Sequence, residues 1–311
     1  MASNSIPLKV WLQAARPKTL TAGLVPVLVG TALAAREGKA QVLPALAALA
    51  GALLIQVGTN LTNDYYDFKK GADTAERVGP QRVTQAGLVA PSKVLAAAVA
   101  SFALAVIVGV YLAWLGGWPI VAVGIASVAS GYAYTGGPFP LGYHGLGDLF
   151  VMVFFGFVAV CGTYFVQAHG ISPAALWMSW PVGGIGTALI VVNNLRDVAT
   201  DVKVGKRTLA VLMGRGFVRW EYALLVASSF AVPLVLAALE FGGPGLLGGS
   251  GEGLLKWGGK GIAVTLLALP VALGPLKTVF TAEGPALNQA LHGTARLQLV
   301  FGLLLCGGLL L

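Results

Sequence analysis

The chain has 311 residues, 57% of them apolar and 10% charged, with a formal net charge of +8 and a mean hydropathy of +0.81. Soluble globular domains carry about 25% charged residues. The composition therefore excludes a soluble fold, and the length is a set of bilayer spans rather than two soluble domains.

In chain order, Lys9–Lys18, apolar Leu20–Leu33 and Ala32-Leu33-Ala34 imitate a secretory leader with a small-residue cleavage site. Hydrophobic spans continue to the C-terminus, so the stretch reads as a first transmembrane helix. Apolar stretches of roughly 17–25 residues mark such helices. They predict nine spans: Leu20–Ala35, Val42–Leu61, Val94–Leu115, Pro119–Tyr134, Leu149–Gln167, Ala174–Leu195, Trp220–Glu240, Trp257–Phe280 and Leu297–Leu311. Pro270 and Pro275 interrupt the eighth. Gly136–Gly147 and Gly242–Gly253 read as glycine-rich loops. The expected fold class is an all-α polytopic membrane protein forming one integral-membrane domain over residues 1–311. Two four-helix repeats, about 20–134 and 147–280, precede the last helix at 297–311. Cys161 and Cys306 lie in apolar runs and read as small buried hydrophobes, with no disulfide or cysteine metal site indicated.

The basic residues set the orientation. One face carries Lys9, Arg16, Lys18, Lys69, Lys70, Arg77, Arg82, Lys93, Arg196, Lys203, Lys206, Arg207, Arg215, Arg219, Lys277 and Arg296, sixteen in all; the other has Arg36, Lys39, Lys256 and Lys260. The positive-inside rule makes the first face, and the N-terminus, cytoplasmic. The predicted location is the cell's inner (plasma) membrane.

Two asparagine–aspartate clusters end hydrophobic runs on that face. The first is Asn60-Leu-Thr-Asn63-Asp64-Tyr-Tyr-Asp67; the second is Asn193-Asn194-Leu-Arg-Asp197-Val-Ala-Thr-Asp201. Acids near a bilayer centre cost roughly 2.5–3.5 kcal/mol each on insertion scales. Yet six of the twelve acids, Asp64, Asp67, Asp73, Glu76, Asp197 and Asp201, lie in or just after these clusters. Spacings of i, i+3, i+4, i+7 and of i, i+3, i+7 put each cluster on one helix face. Two facing acidic stripes repel unless cations sit between them. Hard oxygen ligands favour Mg²⁺ or Mn²⁺, and Mg²⁺ is commonly held by carboxylates together with substrate phosphates.

The catalytic and metal candidates are Asp64, Asp67, Asp197 and Asp201, with Asn60 and Asn63 as further ligands. Lys69, Lys70, Arg77 and Arg82 follow the first cluster, and Lys203, Lys206 and Arg207 follow the second. With Asn193 and Asn194 they suit a diphosphate. A diphosphate leaving group at a bilayer edge implies an isoprenyl diphosphate whose tail lies between the helices. One cluster alone would read as helix caps beside a solvated loop. Two with matching spacing, each followed by a basic loop, read as a site.

At these residues the chain resembles the UbiA superfamily of intramembrane aromatic prenyltransferases, which carries N-D-x-x-D-x-x-x-D and D-x-x-x-D motifs after transmembrane helices. The first is present as Asn63-Asp64-x-x-Asp67, with Gly71 at the third acidic position and Asp73 two residues later; the second is intact as Asp197-x-x-x-Asp201. The strings Asn63–Thr74, Gly79–Gly87, Asn193–Asp197, Gly205–Leu209, Ala15–Thr19 and Thr294–Leu297 resemble the menaquinone branch, and the Gly71/Asp73 departure is typical of it. The resemblance covers nearly the whole chain. It implies nine helices around a central cavity open to lipid, capped by cytoplasmic loops. It also implies transfer of a polyprenyl group from polyprenyl diphosphate to 1,4-dihydroxy-2-naphthoate, with loss of diphosphate and CO₂. It favours Arg16 and Lys18 near the acceptor carboxylate or the diphosphate.

Tyr134, in the turn-rich loop Tyr132–His144, fits an acceptor-lining role or an interfacial aromatic belt. His144 reads as a loop residue and Asp148 as a helix cap. Trp114, Trp118, Trp177 and Trp180 read as belt residues. Two rivals remain. One is a prenyl or phytyl transferase for another aromatic acceptor, in the phylloquinone, ubiquinone, tocopherol or haem pathway. The other is a cation-coupled transporter, whose ion sites would lie near the midplane rather than at helix ends. No feature points to nucleic acid.

Overall fold

Leu8, Leu12 and Trp11 alternate with Val10 and Ala14 at helical spacing, and the chain opens on a short amphipathic helix, α1 (Leu8–Ala15), that buries Val10 and Ala14 and leaves Leu8 and Leu12 exposed. The computed structural model describes residues 6–73, 78–241 and 259–311. Arg16 closes α1 in the left-handed region, at φ 54°. Pro17 then starts a single 3₁₀ turn, and α2 (Thr21–Arg36) leaves at 55° to the preceding segment.

The remaining long helices follow the apolar runs. They are α3 (Val42–Lys69), α4 (Pro91–Gly116), α5 (Trp118–Ala133), α6 (Gly147–Ala168), α7 (Pro173–Lys203), α8 (Gly214–Phe241), α9 (Ala263–Thr281) and α10 (Leu287–Leu310). Among the described residues, seven helices are long and apolar enough to cross a membrane: α3, α4 and α6 to α10. An eighth arises if the bent pair at residues 8–36 is one span. α5 is apolar but shorter, at 16 residues, and occupies the place of the fourth expected span. The chain is a multi-pass membrane protein.

Proline accounts for the irregular eighth span. Residues 263–268 are 3₁₀, Pro270 sits in the first turn of the α-helical part, and Pro275 lies inside it. Trp257, where that span was expected to begin, lies outside the described residues, as do Gly242–Gly253, Thr74, Glu76 and Arg77. The last helix starts ten residues earlier than expected, at Leu287 rather than Leu297.

α7 is the central element, and most of its apolar stretch is buried inside the protein. Its Gly183 meets Gly156 of α6 so closely that a Cβ on either would lie 2.9 Å from the other's Cα. The main core joins α2, α6, α7, α8, α9 and α10 through residues such as Val29, Val160, Ile185, Val192, Tyr222 and Phe301. A smaller core joins α1, α3, α4 and the segment between them through Val10, Leu61, Val83, Val89 and Val94. At one end of the bundle, Gln41 donates twice to Gln167, from its backbone N–H to the side-chain oxygen at 3.1 Å and from its side-chain amide to the backbone carbonyl at 2.9 Å, and Tyr164 donates to Glu37 at 2.5 Å. The C-terminal ends of α3 and α7 lie at the other end, with the basic loops.

Candidate functional site

α3 and α7 do not stop where their hydrophobic runs stop. Polar residues from Asn60 to Asp67 and from Asn193 to Asp201 continue both helices, because those side chains turn into the protein rather than toward lipid: Asn60, Asp64, Asp67, Asn194, Asp197 and Asp201 are all buried. A small, polar cleft forms between the two helix ends. It is lined by Asp67, Ala72, Asp73, Arg82, Asn193, Asp197, Thr200, Asp201 and Lys206. Residues of both motifs therefore meet in one place.

Every acid there has a cationic neighbour. Arg82 places Nη2 3.5 Å from Asp67 and Nε 3.4 Å from Asp73. Arg196 donates to both oxygens of Asp197, at 2.7 and 2.6 Å. Lys206 Nζ lies 3.5 Å from Asp201. Asp67 also accepts the Tyr143 hydroxyl at 2.8 Å, and the Tyr143 ring lies under two ammonium groups, Lys70 at 4.5 Å and Lys206 at 5.6 Å from its centroid. Burial and the adjacent Asp67 push the Tyr143 phenol well above its ordinary range, so it stays a donor. Burial lowers the Lys70 ammonium, partly offset by Asp67.

The donor set suits a hard divalent cation. Asp67, Asp197, Asp201, Asn193 and Thr200 offer only oxygen, apart from the Asn193 amide nitrogen, and Asp201 Oδ2 is buried with no hydrogen-bond partner. Among the described residues, no three acids, histidines or cysteines stand close enough to hold an ion by themselves. The fit is thus to an ion held jointly with a ligand's phosphates.

The stripe on α3 is divided among several neighbours. Asp64 is 1% exposed, and its carboxylate accepts the backbone N–H groups of Val83 and Thr84 at 3.2 and 3.1 Å, outside the cleft. Asn63 accepts the Thr135 hydroxyl at 2.6 Å. Asn60 donates to the Ala15 carbonyl and the Thr19 hydroxyl, and its own carbonyl accepts Arg16 at 3.1 Å. Neither Asn60 nor Asn63 lines the cleft, and nor does buried Asn194. An i, i+3, i+4, i+7 stripe spans a wide arc of the helix surface, so its members face different partners.

The basic residues are divided as well. Arg82 and Lys206 line the cleft; Lys70 reaches the Thr135 carbonyl at 2.7 Å and Tyr143. Exposed Lys69 lies over the Tyr65 ring, and Lys203 and Arg207 have exposed side chains. Lys18 Nζ is 2.8 Å from His292 Nε2 on α10. The Tyr134 side chain packs against Gly142 in its own loop and against Gly147 at the start of α6. His144 stacks on Phe139 and contacts the Pro140 carbonyl, as a loop residue would.

The sequence did not single out Tyr143, Arg196, Thr200 or Asn288 as site residues. Thr200 follows Asn193 and Asp197 at helical spacing, which is a readable signal. In the sequence, Arg196 reads only as one of the charges that set the topology. It is 2% exposed and also donates to Asn193 at 2.8 Å and to Asn288 at 2.9 Å. Asn288 in turn donates to the Val78 carbonyl at 3.3 Å.

Residues 23–281 match the UbiA prenyltransferase family. The chain is 37% identical to the 1,4-dihydroxy-2-naphthoate octaprenyltransferase of Bacillus subtilis (strain 168), covering 96% of this chain and 91% of that one. It is also 37% identical to the protein of that name from Mycobacterium tuberculosis, covering 96% of each. Among solved structures, a UbiA homolog from Archaeoglobus fulgidus bound to GPP and Mg²⁺ has a TM-score of 0.62 at 14% identity, covering 95% of this chain and 99% of that one. A UbiA homolog from Aeropyrum pernix K1 has a TM-score of 0.64 at 14% identity, covering 92% and 96%. Those two likenesses are of fold.

Proposed function

Because the chain belongs to the UbiA prenyltransferase family, we propose that it transfers a polyprenyl group from a polyprenyl diphosphate to 1,4-dihydroxy-2-naphthoate, releasing diphosphate and CO₂ and giving demethylmenaquinone. The observation that carries the reading is the cleft that draws Asp67, Asp197 and Asp201 together under Arg82 and Lys206. The fold likeness to a homolog bound to GPP and Mg²⁺ is consistent with it.

Asp67, Asp197 and Asp201, with Asn193, are the residues that would hold Mg²⁺ or Mn²⁺ against the diphosphate. When bound, the ion supplies Lewis-acid stabilisation of the leaving group's charge. Arg82, Lys206 and Lys70 neutralise the remaining phosphate oxygens as the allylic C–O bond breaks. The helix walls exclude water from the allylic cation. The electron-rich ring carbon bearing the carboxylate attacks, the carboxyl group leaves as CO₂, and the ring regains aromaticity. Asp64, Asn60 and Asn63 act one layer out, holding the segments that carry these groups. Lys18, beside α10, and Arg16, which donates to the Asn60 carbonyl on α3, are the cations that would meet the acceptor's carboxylate.

The site end of the bundle faces the cytoplasm, where the soluble naphthoate is found, and the protein resides in the plasma membrane. Incubating the purified protein with geranyl diphosphate, Mg²⁺ and a panel of aromatic acids, with products identified by mass spectrometry, tests the reading. Prenylated, decarboxylated naphthoate is the expected product. Prenylation of a different acid with the naphthoate untouched would overturn the acceptor.

A further inference from the structure

Tyr143 is 9% exposed and lies in a 3₁₀ turn, Leu141–Tyr143, in the loop between α5 and α6. Nothing in the Asp motifs contains it, yet it touches both halves of the site. Its hydroxyl donates to Asp67 at 2.8 Å, at the end of α3. Its carbonyl accepts the backbone N–H of Arg207 at 3.0 Å, in the loop after α7. Its ring lies 4.5 Å from the Lys70 ammonium, which follows the first motif, and 5.6 Å from the Lys206 ammonium, which follows the second.

Two ammonium groups from loops more than a hundred residues apart repel each other, and their flexible stems would let them separate into water. An aromatic face offers each a negative surface without consuming its charge or all its N–H donors. The lysines stay available to phosphate oxygens. Asp67 faces the reverse problem. Its carboxylate can rotate, and a donor fixed on one oxygen orients it so that the other points toward Arg82 and the cleft. One side chain thus performs both tasks.

We propose that Tyr143 is a positioning residue of the diphosphate site: its hydroxyl orients Asp67, and its ring is the common seat that keeps Lys70 and Lys206 converged on the incoming diphosphate. This rests on the prenyltransferase reading. The role is separable by atom. Tyr143→Phe removes the hydroxyl and keeps the ring; Tyr143→Leu removes both.

The test measures binding of inorganic pyrophosphate to purified protein in detergent by calorimetry, across a Mg²⁺ series, beside steady-state kinetics with geranyl diphosphate and the naphthoate. Tyr143→Phe is expected to raise the Mg²⁺ needed for half-maximal pyrophosphate binding about tenfold, the scale of a hydrogen bond to a charged group, with pyrophosphate affinity at saturating Mg²⁺ retained. Tyr143→Leu is expected to weaken pyrophosphate a further five- to tenfold or so at saturating Mg²⁺, the scale of two cation–π contacts. The donor KM should rise in step and the acceptor KM should not. A merely structural tyrosine would lower the unfolding midpoint and kcat of both variants and leave the Mg²⁺ requirement and donor KM alone; that pattern overturns the proposal. If Tyr143→Leu does not fold, Tyr143→Met removes the ring in its place. Failure of the wild-type protein to bind pyrophosphate at all would overturn the prenyltransferase reading itself. Binding without naphthoate turnover would overturn only the acceptor, and the Tyr143 comparison would still be decided.

Discussion

Arg196 grips the carboxylate of its own neighbour in the chain, Asp197, with Nε 2.7 Å from one oxygen and Nη2 2.6 Å from the other. Adjacent helical residues point about 100° apart, so this pairing requires Arg196 to fold back along the helix end. Its other contacts, Asn193 and Asn288, hold it there. Removing it leaves a buried acid unpaired. Arg196→Ala should cut turnover by about a hundredfold and lower stability by about 3 kcal/mol. Arg196→Lys should recover little, because an ammonium cannot reproduce the two-pronged geometry. Turnover and thermal unfolding in detergent check both; full activity in the lysine variant would contradict the geometric role.

Asp64 and Asp67 are three residues apart and should respond differently. Asp64 carries the backbone of Val83 and Thr84, whereas Asp67 faces the cleft. Asp64→Ala leaves two buried N–H groups unpaired and should lose about 1–3 kcal/mol for each, with activity falling as the segment loosens. Asp67→Ala should abolish activity with the unfolding midpoint within a few degrees of wild type. Parallel melts and assays separate them. Equal destabilisation by the two changes would erase the distinction.

Chelation should abolish turnover. EDTA is expected to bring product formation to background, and added Mg²⁺ or Mn²⁺ to restore it, because the cleft's oxygen donors cannot discharge a leaving diphosphate alone. Persistent activity in EDTA would remove the metal from the reading.

Gly79 faces Arg196 so closely that a Cβ would lie 2.7 Å from Nη2. The far end of an arginine usually yields, but this one is held by Asp197, Asn193 and Asn288. Gly79→Ala should therefore disturb Asp197 through the Arg196 guanidinium, reducing kcat several-fold. A wild-type kcat would mean that Arg196 moves freely.

Orientation is open to labelling. Leu88 is 44% exposed in the segment before α4, at the site end. With Cys161 and Cys306 replaced by alanine, Leu88→Cys should react with a membrane-impermeant thiol reagent only in inverted vesicles. Reaction on intact cells would place the site outside.

Helix positions were legible because roughly twenty-residue apolar runs have few alternatives. Helix ends were less so. Hydropathy falls at Leu61 and Leu195, yet α3 and α7 continue to Lys69 and Lys203, since the polar turns face protein. α10 likewise begins at Leu287, and its polar first turns supply Asn288 to Arg196 and His292 to Lys18. The pairing of the two motifs was readable from their matching spacing. Tyr143 was not, because a turn-rich loop has no periodicity to indicate which side chain points inward. Nor could spacing say that Asp64 serves the backbone while Asp67 serves the cleft. That division depends on where residues 83 and 84 return to the helix.

The resting cleft is nearly self-neutralised, each of its four acids matched by Arg82, Arg196 or Lys206. A lone divalent ion approaching it meets guanidinium and ammonium groups as well as carboxylates, and gains little. A diphosphate arriving alone meets the carboxylates. Only the two together would let every partner exchange at once, acids to the metal and bases to the phosphates. Loading should accordingly be mutually dependent, with weak calorimetric binding of Mg²⁺ alone and of pyrophosphate alone, and strong binding of the two together. Cellular Mg²⁺ would then regulate the protein by setting how much donor arrives already complexed.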